Sequence, residues 1–232
     1  MANSEQKKWY TRWWAIIIYI IAGLGIILLI IPLPEQNNSA NGIIQKFRQE
    51  NPRMDEQKRS LLLDEYAPYY GTTSPKITIV EFFSFNCPGT EEMQDTVREL
   101  GIKYQDKIKI IFRHFPTNKE AIEYSLAAEC AHKQNKFWGM YDKLFQNQKK
   151  LTPNKLIPYA RQLGLNTKQF SSCLQDKNTL EIIKQDIRQG TKLGVKGSPT
   201  TYINGYKIER PIPKDIFMSI IENIIEVDED KK

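Results

Sequence analysis

The chain has 232 residues, with 33 Lys or Arg against 27 Asp or Glu and a formal net charge of +6 at neutral pH. That length suits one compact domain and hardly two, and it is enough to bury a core without covalent staples. The basic excess is modest, scattered and without interleaved aromatics, so it points away from nucleic acid and towards a solvated surface with mild attraction to anionic lipid head groups.

Residues 1–12 carry Lys7, Lys8 and Arg12 against one acid, Glu5. The next stretch, 13–33, holds no charged residue and is dominated by Ile and Leu. As a helix it spans about 31 Å, matching a bilayer core of about 30 Å. Trp13 and Trp14 stand where an aromatic belt would stand, and Pro32 and Pro34 close the segment. A transmembrane anchor over 13–33 is therefore expected; the alternatives are a buried core helix, or a signal peptide cleaved near Ser39-Ala40. The apolar run is too long for a usual signal peptide, and no small-x-small site follows it directly. The basic flank keeps the N-terminus cytoplasmic and sends the rest outside, to the periplasm or the outer cell face. Disulfides persist there.

Residues 34–70 are polar and read as a tether, with possible amphipathic helices near 43–48 and 58–66. The domain is expected over 71–228, ahead of a charged tail at 229–232. Residues 76–83 are rich in β-branched and aromatic side chains and read as a buried strand. After a turn at 84–86, Cys87-Pro88 opens a helix to about Tyr104, with Pro88 at the first helical position. A second strand follows at 107–112. Strand, helix, strand argues for parallel pairing through a right-handed crossover. From about 118 to 194 apolar residues recur at helical spacing, among them Leu126, Cys130, Phe137, Met140 and Tyr141, with Gly164 and Gly190 as stops. This is a helical insertion in an α/β unit. Residues 200–208 form a hairpin about Asn204-Gly205, and Ile216, Phe217, Ile220, Ile221 and Ile224 mark a terminal amphipathic helix.

The chemistry centres on Cys87, where a buried strand hands over to a helix. The first amides of a helix lack internal partners, and its dipole places partial positive charge there. A thiolate at that point is stabilised and becomes the attacking form. The alternative is one more buried hydrophobe. Gly197-Ser198-Pro199, at the start of a strand, is a candidate cis peptide. Glu81 is an acid inside an apolar strand, so it must be neutral or paired. His114, just past the second strand, reads as a strand-end residue rather than a base for Cys87, and Phe137 and Trp138 read as core.

Four stretches in one order, Glu81-Phe-Phe-Ser-Phe-Asn-Cys87-Pro-Gly-Thr90, Phe112-Arg-His-Phe-Pro116, Ala128-Glu-Cys-Ala131 with Lys136-Phe-Trp138, and Gly197-Ser-Pro-Thr-Thr-Tyr-Ile-Asn-Gly205, resemble the DsbA-like thioredoxin family. The resemblance implies an α/β class, a thioredoxin fold with a helical insertion, here preceded by a single N-terminal transmembrane helix. It implies that Cys87 matches the attacking cysteine, Pro199 the cis-proline facing it and Glu81 the buried acid beneath it. Ser198 matches the residue whose backbone pairs with an extended substrate, and Pro88 flanks the same contact surface.

The family motif is Cys-x-x-Cys, and here position 90 is Thr. The resolving thiol is absent, so release from a mixed disulfide needs an external thiol or one on the substrate. Thr90 is expected to donate a hydrogen bond to the thiolate, while Glu91 and Glu92 oppose its charge. The three cysteines partition as one free thiol plus a structural disulfide, Cys130 with Cys173, or else as unpaired core cysteines. Related extracytoplasmic members tend to carry cysteines at both positions together. A bridge closing about 44 residues would stabilise by roughly 4 kcal/mol in the chain-entropy model. No cofactor is expected, and no metal, since the cysteines and two histidines show no ligand spacing. The expected partners are cysteine-containing extracytoplasmic proteins or an external thiol, and the lipid bilayer through 13–33. Two functions follow: a monothiol disulfide exchanger, or a non-catalytic module that binds extended chains beside Ser198-Pro199.

Overall fold

The computed structural model describes residues 40–51, 53–88, 90–209 and 211–229. The anchor expected over 13–33 and the tail residues 230–232 lie outside them. Among the described residues no helix is long and apolar enough to cross a membrane.

In chain order the helices are α1 (Ala40–Glu50), α2 (Glu56–Arg59), α3 (Glu91–Lys103), α4 (Lys119–His132), α5 (Phe137–Gln146), α6 (Leu156–Gln162), α7 (Thr167–Leu174), α8 (Lys177–Lys192) and α9 (Lys214–Glu229). The strands are β1 (Tyr69–Gly71), β2 (Ile77–Phe83), β3 (Ile108–His114), β4 (Thr200–Ile203) and β5 (Tyr206–Ile208), forming one sheet in the order β1-β3-β2-β4-β5. β2 and β3 run parallel from Ile77↔Ile108 to Phe83↔His114, with α3 as the crossover. β4 is antiparallel to β2, β5 to β4, and β1 to β3. The hairpin turns on Asn204 (φ 48°) and Gly205 (φ 84°), two left-handed positions that suit this dipeptide.

The central strands are apolar on both faces because both are covered. Ile77, Ile79 and Phe83 of β2 and Ile108, Ile110 and Phe112 of β3 face α3, α9 and the helical insertion. Val80, Phe82 and Ile111 face the other way, against Leu62, Leu193 and Val195. Each fully buried Phe or Ile contributes about 1.5–3 kcal/mol.

Three expectations need correction. The helix after Cys87 begins at Glu91, not at Pro88, because Cys87 is held in a turn whose amide donates to the Ser84 carbonyl at 3.2 Å. Gly190 does not end a helix; it lies inside α8, where a Cβ would come within 3.0 Å of the Phe82 ring and 3.1 Å of Phe115. The described residues of 40–70 are not a free tether. Phe47 of α1 is buried in the first core and α1 packs on α9, Leu62 and Ala67 are buried in the second core, and β1 extends the sheet. Their apolar side chains find partners too distant in sequence for periodicity to show.

A buried cation ties that segment to the insertion. The Arg113 side chain has no exposed surface. Its Nε donates to Asp186 Oδ1 at 2.7 Å, Nη1 to the Leu61 carbonyl at 3.1 Å, and Nη2 to Gln189 Oε1. Asp186 Oδ2 accepts the His114 amide at 2.8 Å.

Candidate active site

β2 ends at Phe83 and the chain turns sharply through Ser84, Phe85 and Asn86. The Ser84 hydroxyl donates to Asn86 Oδ1 at 2.9 Å, and Asn86 Nδ2 donates to Asn118 Oδ1 at 3.0 Å, at the start of α4. These bonds fix the approach to Cys87. The first helical bond of α3 runs from the Gln94 amide to the Thr90 carbonyl at 2.9 Å, so Thr90 is the helix cap and Cys87 stands one turn ahead of it.

The structure brings Cys87 to the Ser198–Pro199 peptide, which is cis. The Cys87 Sγ lies 2.9 Å from the Ser198 carbonyl oxygen and donates to it. The Ser198 hydroxyl oxygen accepts the Ser84 amide at 2.8 Å, binding this edge to the loop. Pro88 is exposed beside the half-buried thiol. Burial pushes the Cys87 thiol up from its ordinary value, and a hydrogen bond with the Ser198 side chain opposes that rise. The thiol sits before the helix rather than within its first turn, so the dipole expected to lower it acts from farther off.

Thr90 is also placed differently from expectation. Its side chain is fully buried and its hydroxyl donates to the Cys87 carbonyl at 2.7 Å, not to the sulfur. The carboxamide of Gln148 reaches the same cluster from the short 3-10 turn Gln148–Lys150 that follows α5. Its Nε2 donates to the Phe85 carbonyl at 2.9 Å, the Cys87 carbonyl at 3.0 Å and Thr90 Oγ1 at 3.1 Å. Sequence reasoning missed Gln148: one polar residue in a helical stretch carries no local signal for a partner some 60 residues away.

The other candidates lie elsewhere. Glu81 sits in the middle of β2, fully buried, in register with Phe112 and Thr201. Neither of its carboxyl oxygens has a hydrogen-bond partner among the described residues, and burial drives it well above the usual carboxylate range. Cys130 of α4 and Cys173 of α7 are joined by a disulfide, leaving Cys87 as the free thiol. His114 is buried beside Phe112 and Phe137, with Nε2 3.5 Å from Glu129 Oε2 and no hydrogen bond to Cys87. Trp138 is partly buried on the core and donates from Nε1 to the Tyr69 carbonyl at 2.9 Å. Among the described residues no group of three or more His, Cys, Asp or Glu is arranged to hold a metal ion.

A family model described as Thioredoxin matches residues 64–223. The chain belongs to the thioredoxin family. It is DsbA-like within that family, with a mixed α/β thioredoxin fold carrying added helices. The chain is 32% identical over 148 residues to the probable disulfide bond formation protein D of Bacillus cereus, a match covering 58% of this chain and 68% of that protein. The crystal structure of alpha-DsbA1 from Wolbachia pipientis shares the fold at a TM-score of 0.66 and 20% sequence identity, covering 75% of this chain and 98% of that one. The chain is also 33% identical over 144 residues to a sodium/proton antiporter of Salinispora tropica, covering 61% of this chain but 22% of the antiporter. It therefore spans about a fifth of that relative's length.

Proposed function

We propose that this DsbA-like protein is an extracytoplasmic thiol-disulfide oxidoreductase that works through Cys87 alone, forming mixed disulfides with secreted or envelope proteins. The observation that carries the reading is the free Cys87 thiol facing the cis Ser198–Pro199 edge while the other two cysteines are bonded to each other. The Cys87 thiolate attacks one sulfur of a partner disulfide. A Cys87–partner S–S bond forms, the partner's own S–S bond breaks, and its second sulfur leaves as a thiolate that takes a proton from water. No net oxidation occurs. Thr90 offers an oxygen where a resolving sulfur would be needed, so a thiol of the partner, or an external one, attacks the mixed disulfide and restores Cys87. That favours reduction or isomerisation over net oxidation. Pro88, Ser198 and Pro199 contact the partner, the Ser198 backbone pairing with an extended chain. By the family resemblance Glu81 is the buried acid beneath Cys87, and it is counted with the catalytic residues. Residues 13–33 anchor the protein in the bilayer with the domain outside.

A second reading, a binding module whose thiol is vestigial, is favoured by the upward-shifted Cys87 thiol and by Thr90. The two separate on one experiment. The full chain, in mild detergent, is incubated with a disulfide-bonded peptide and quenched with acid, and adducts are read by mass. An adduct on Cys87 that disappears in Cys87→Ser supports exchange. No adduct from the wild-type chain, with peptide binding retained in Cys87→Ser, supports the binding module instead.

A further inference from the structure

Three hydrogen bonds from one carboxamide converge on the Cys87 loop, and none of them touches sulfur. Gln148 Nε2 grips the carbonyls of Phe85 and Cys87 and the hydroxyl of Thr90, and that hydroxyl in turn donates to the same Cys87 carbonyl. The Cys87 carbonyl thus accepts twice, and Phe85, Cys87 and Thr90 are tied to the turn after α5. The pinned loop leaves the thiol one strong acceptor, the Ser198 carbonyl at 2.9 Å, with the Pro88 carbonyl farther off at 3.6 Å. The carbonyl accepts from S–H and offers a thiolate nothing; a hydrogen bond with the Ser198 side chain acts the other way, and burial is the larger cause that favours the protonated thiol. The Ser198 carbonyl is also the backbone group that an extended partner would use.

We propose that Gln148 is a positioning residue of this site: acting through Thr90 and the loop carbonyls, it holds the Cys87 thiol docked on Ser198, in a resting state released when a partner strand claims that carbonyl. This rests on the thiol-exchange reading for its biological use, but its geometry stands apart from it. Without Gln148 the loop loses a shared donor, the sulfur gains water, and the thiol ionises more readily. Burial is the larger cause of its upward displacement, and it is what a loosened loop relieves.

The test is the pH profile of Cys87 alkylation by iodoacetamide in the full chain, for wild type, Gln148→Leu, Thr90→Val and Tyr124→Phe. The last variant removes a hydrogen bond to the Leu151 carbonyl, beside the same turn but off the loop, and so controls for mere loosening. Gln148→Leu and Thr90→Val are expected to lower the alkylation midpoint by about half a pH unit. Because a less basic thiolate is also a weaker nucleophile, the rate at pH 7 rises only about twofold. Tyr124→Phe keeps the wild-type midpoint. An unchanged or raised midpoint in a folded Gln148→Leu protein overturns the proposal, as does an equal shift in Tyr124→Phe. Should Gln148→Leu fail to fold, Thr90→Val decides alone. Wild-type protein that forms no mixed disulfide, with the midpoint still shifting in the variants, sinks the exchange reading and leaves the positioning role standing.

Discussion

Arg113 and Glu81 lie fully buried on neighbouring strands, facing opposite sides of the sheet, and their surroundings differ in kind. Arg113 is surrounded by acceptors: Asp186, Gln189, the Leu61 carbonyl, and Asp64 at 3.8 Å, with its guanidinium over the Phe82 ring. Glu81 has no hydrogen-bond partner among the described residues, and it shares a core with Phe112 and Tyr141. A charge hydrogen-bonded through all three of its guanidinium nitrogens is a structural tie. A carboxyl without partners stays in the fold only as the neutral acid, which makes it a group able to give up a proton. The side of the sheet that binds residues 61–64 is built for holding, and the side that carries Glu81 buries an acid whose proton burial holds more firmly.

The largest effect that can break this contrast is Arg113→Ala. It strands Asp186 without its cation, and removal of one partner from a buried pair costs about 3–5 kcal/mol. Urea unfolding of the variant measures it. A loss under about 1 kcal/mol would mean that Asp186 is rescued by solvent and that Arg113 is not a tie.

Glu81→Gln comes next, and its effect grows with pH. The folded-state value of Glu81 is raised well above the usual carboxylate range by burial. Below the unfolded value both states hold the proton and no penalty exists. As pH rises towards the folded value, the unfolded chain gives up its proton while the folded one keeps it. Wild-type stability therefore falls, by about 1.4 kcal/mol per pH unit. Glu81→Gln lacks this slope, so its stability relative to wild type should climb as pH rises above about 5 and level off once pH passes the folded value, in urea titrations. Parallel curves would show that Glu81 is ionised and paired after all.

The same contrast explains what could be read from sequence. Both central strands, their crossover helix, the insertion and the Asn204-Gly205 hairpin were legible, because β-branched runs, helical periodicity and turn dipeptides are local signals. Glu81 stood out as an acid in an apolar strand for the same reason. Arg113 did not, since its partners sit some 50 and 73 residues away. β1 is three residues long, too short for any alternation to show. The start of α3 was misread because Pro88 suits a turn as well as a first helical position, and the Ser84 and Thr90 bonds that choose between them are tertiary detail. Gln148 was invisible on the same ground as Arg113: a donor is defined by the acceptors that folding brings to it.

The smallest expected effect is also the sharpest test of the sparsely satisfied side. Tyr141 is fully buried on the Glu81 face, its hydroxyl has no hydrogen-bond partner among the described residues, and burial, followed by the nearby Glu81, raises it well above its ordinary value. Tyr141→Phe removes only that oxygen and keeps the ring packed against Phe85, Phe112 and Phe145. A buried polar group without a partner costs about 1–3 kcal/mol, so its removal should leave stability unchanged or raise it by up to about 1 kcal/mol. A bound water or a proton path between Tyr141 and Glu81 predicts the reverse, a loss of about 1 kcal/mol or more that shrinks in the Glu81→Gln background. A double-mutant cycle in urea at pH 7 reads the difference directly. Additive effects would leave Glu81 as an isolated neutral acid, and coupled ones would make it one end of a polar pair that spans the first core.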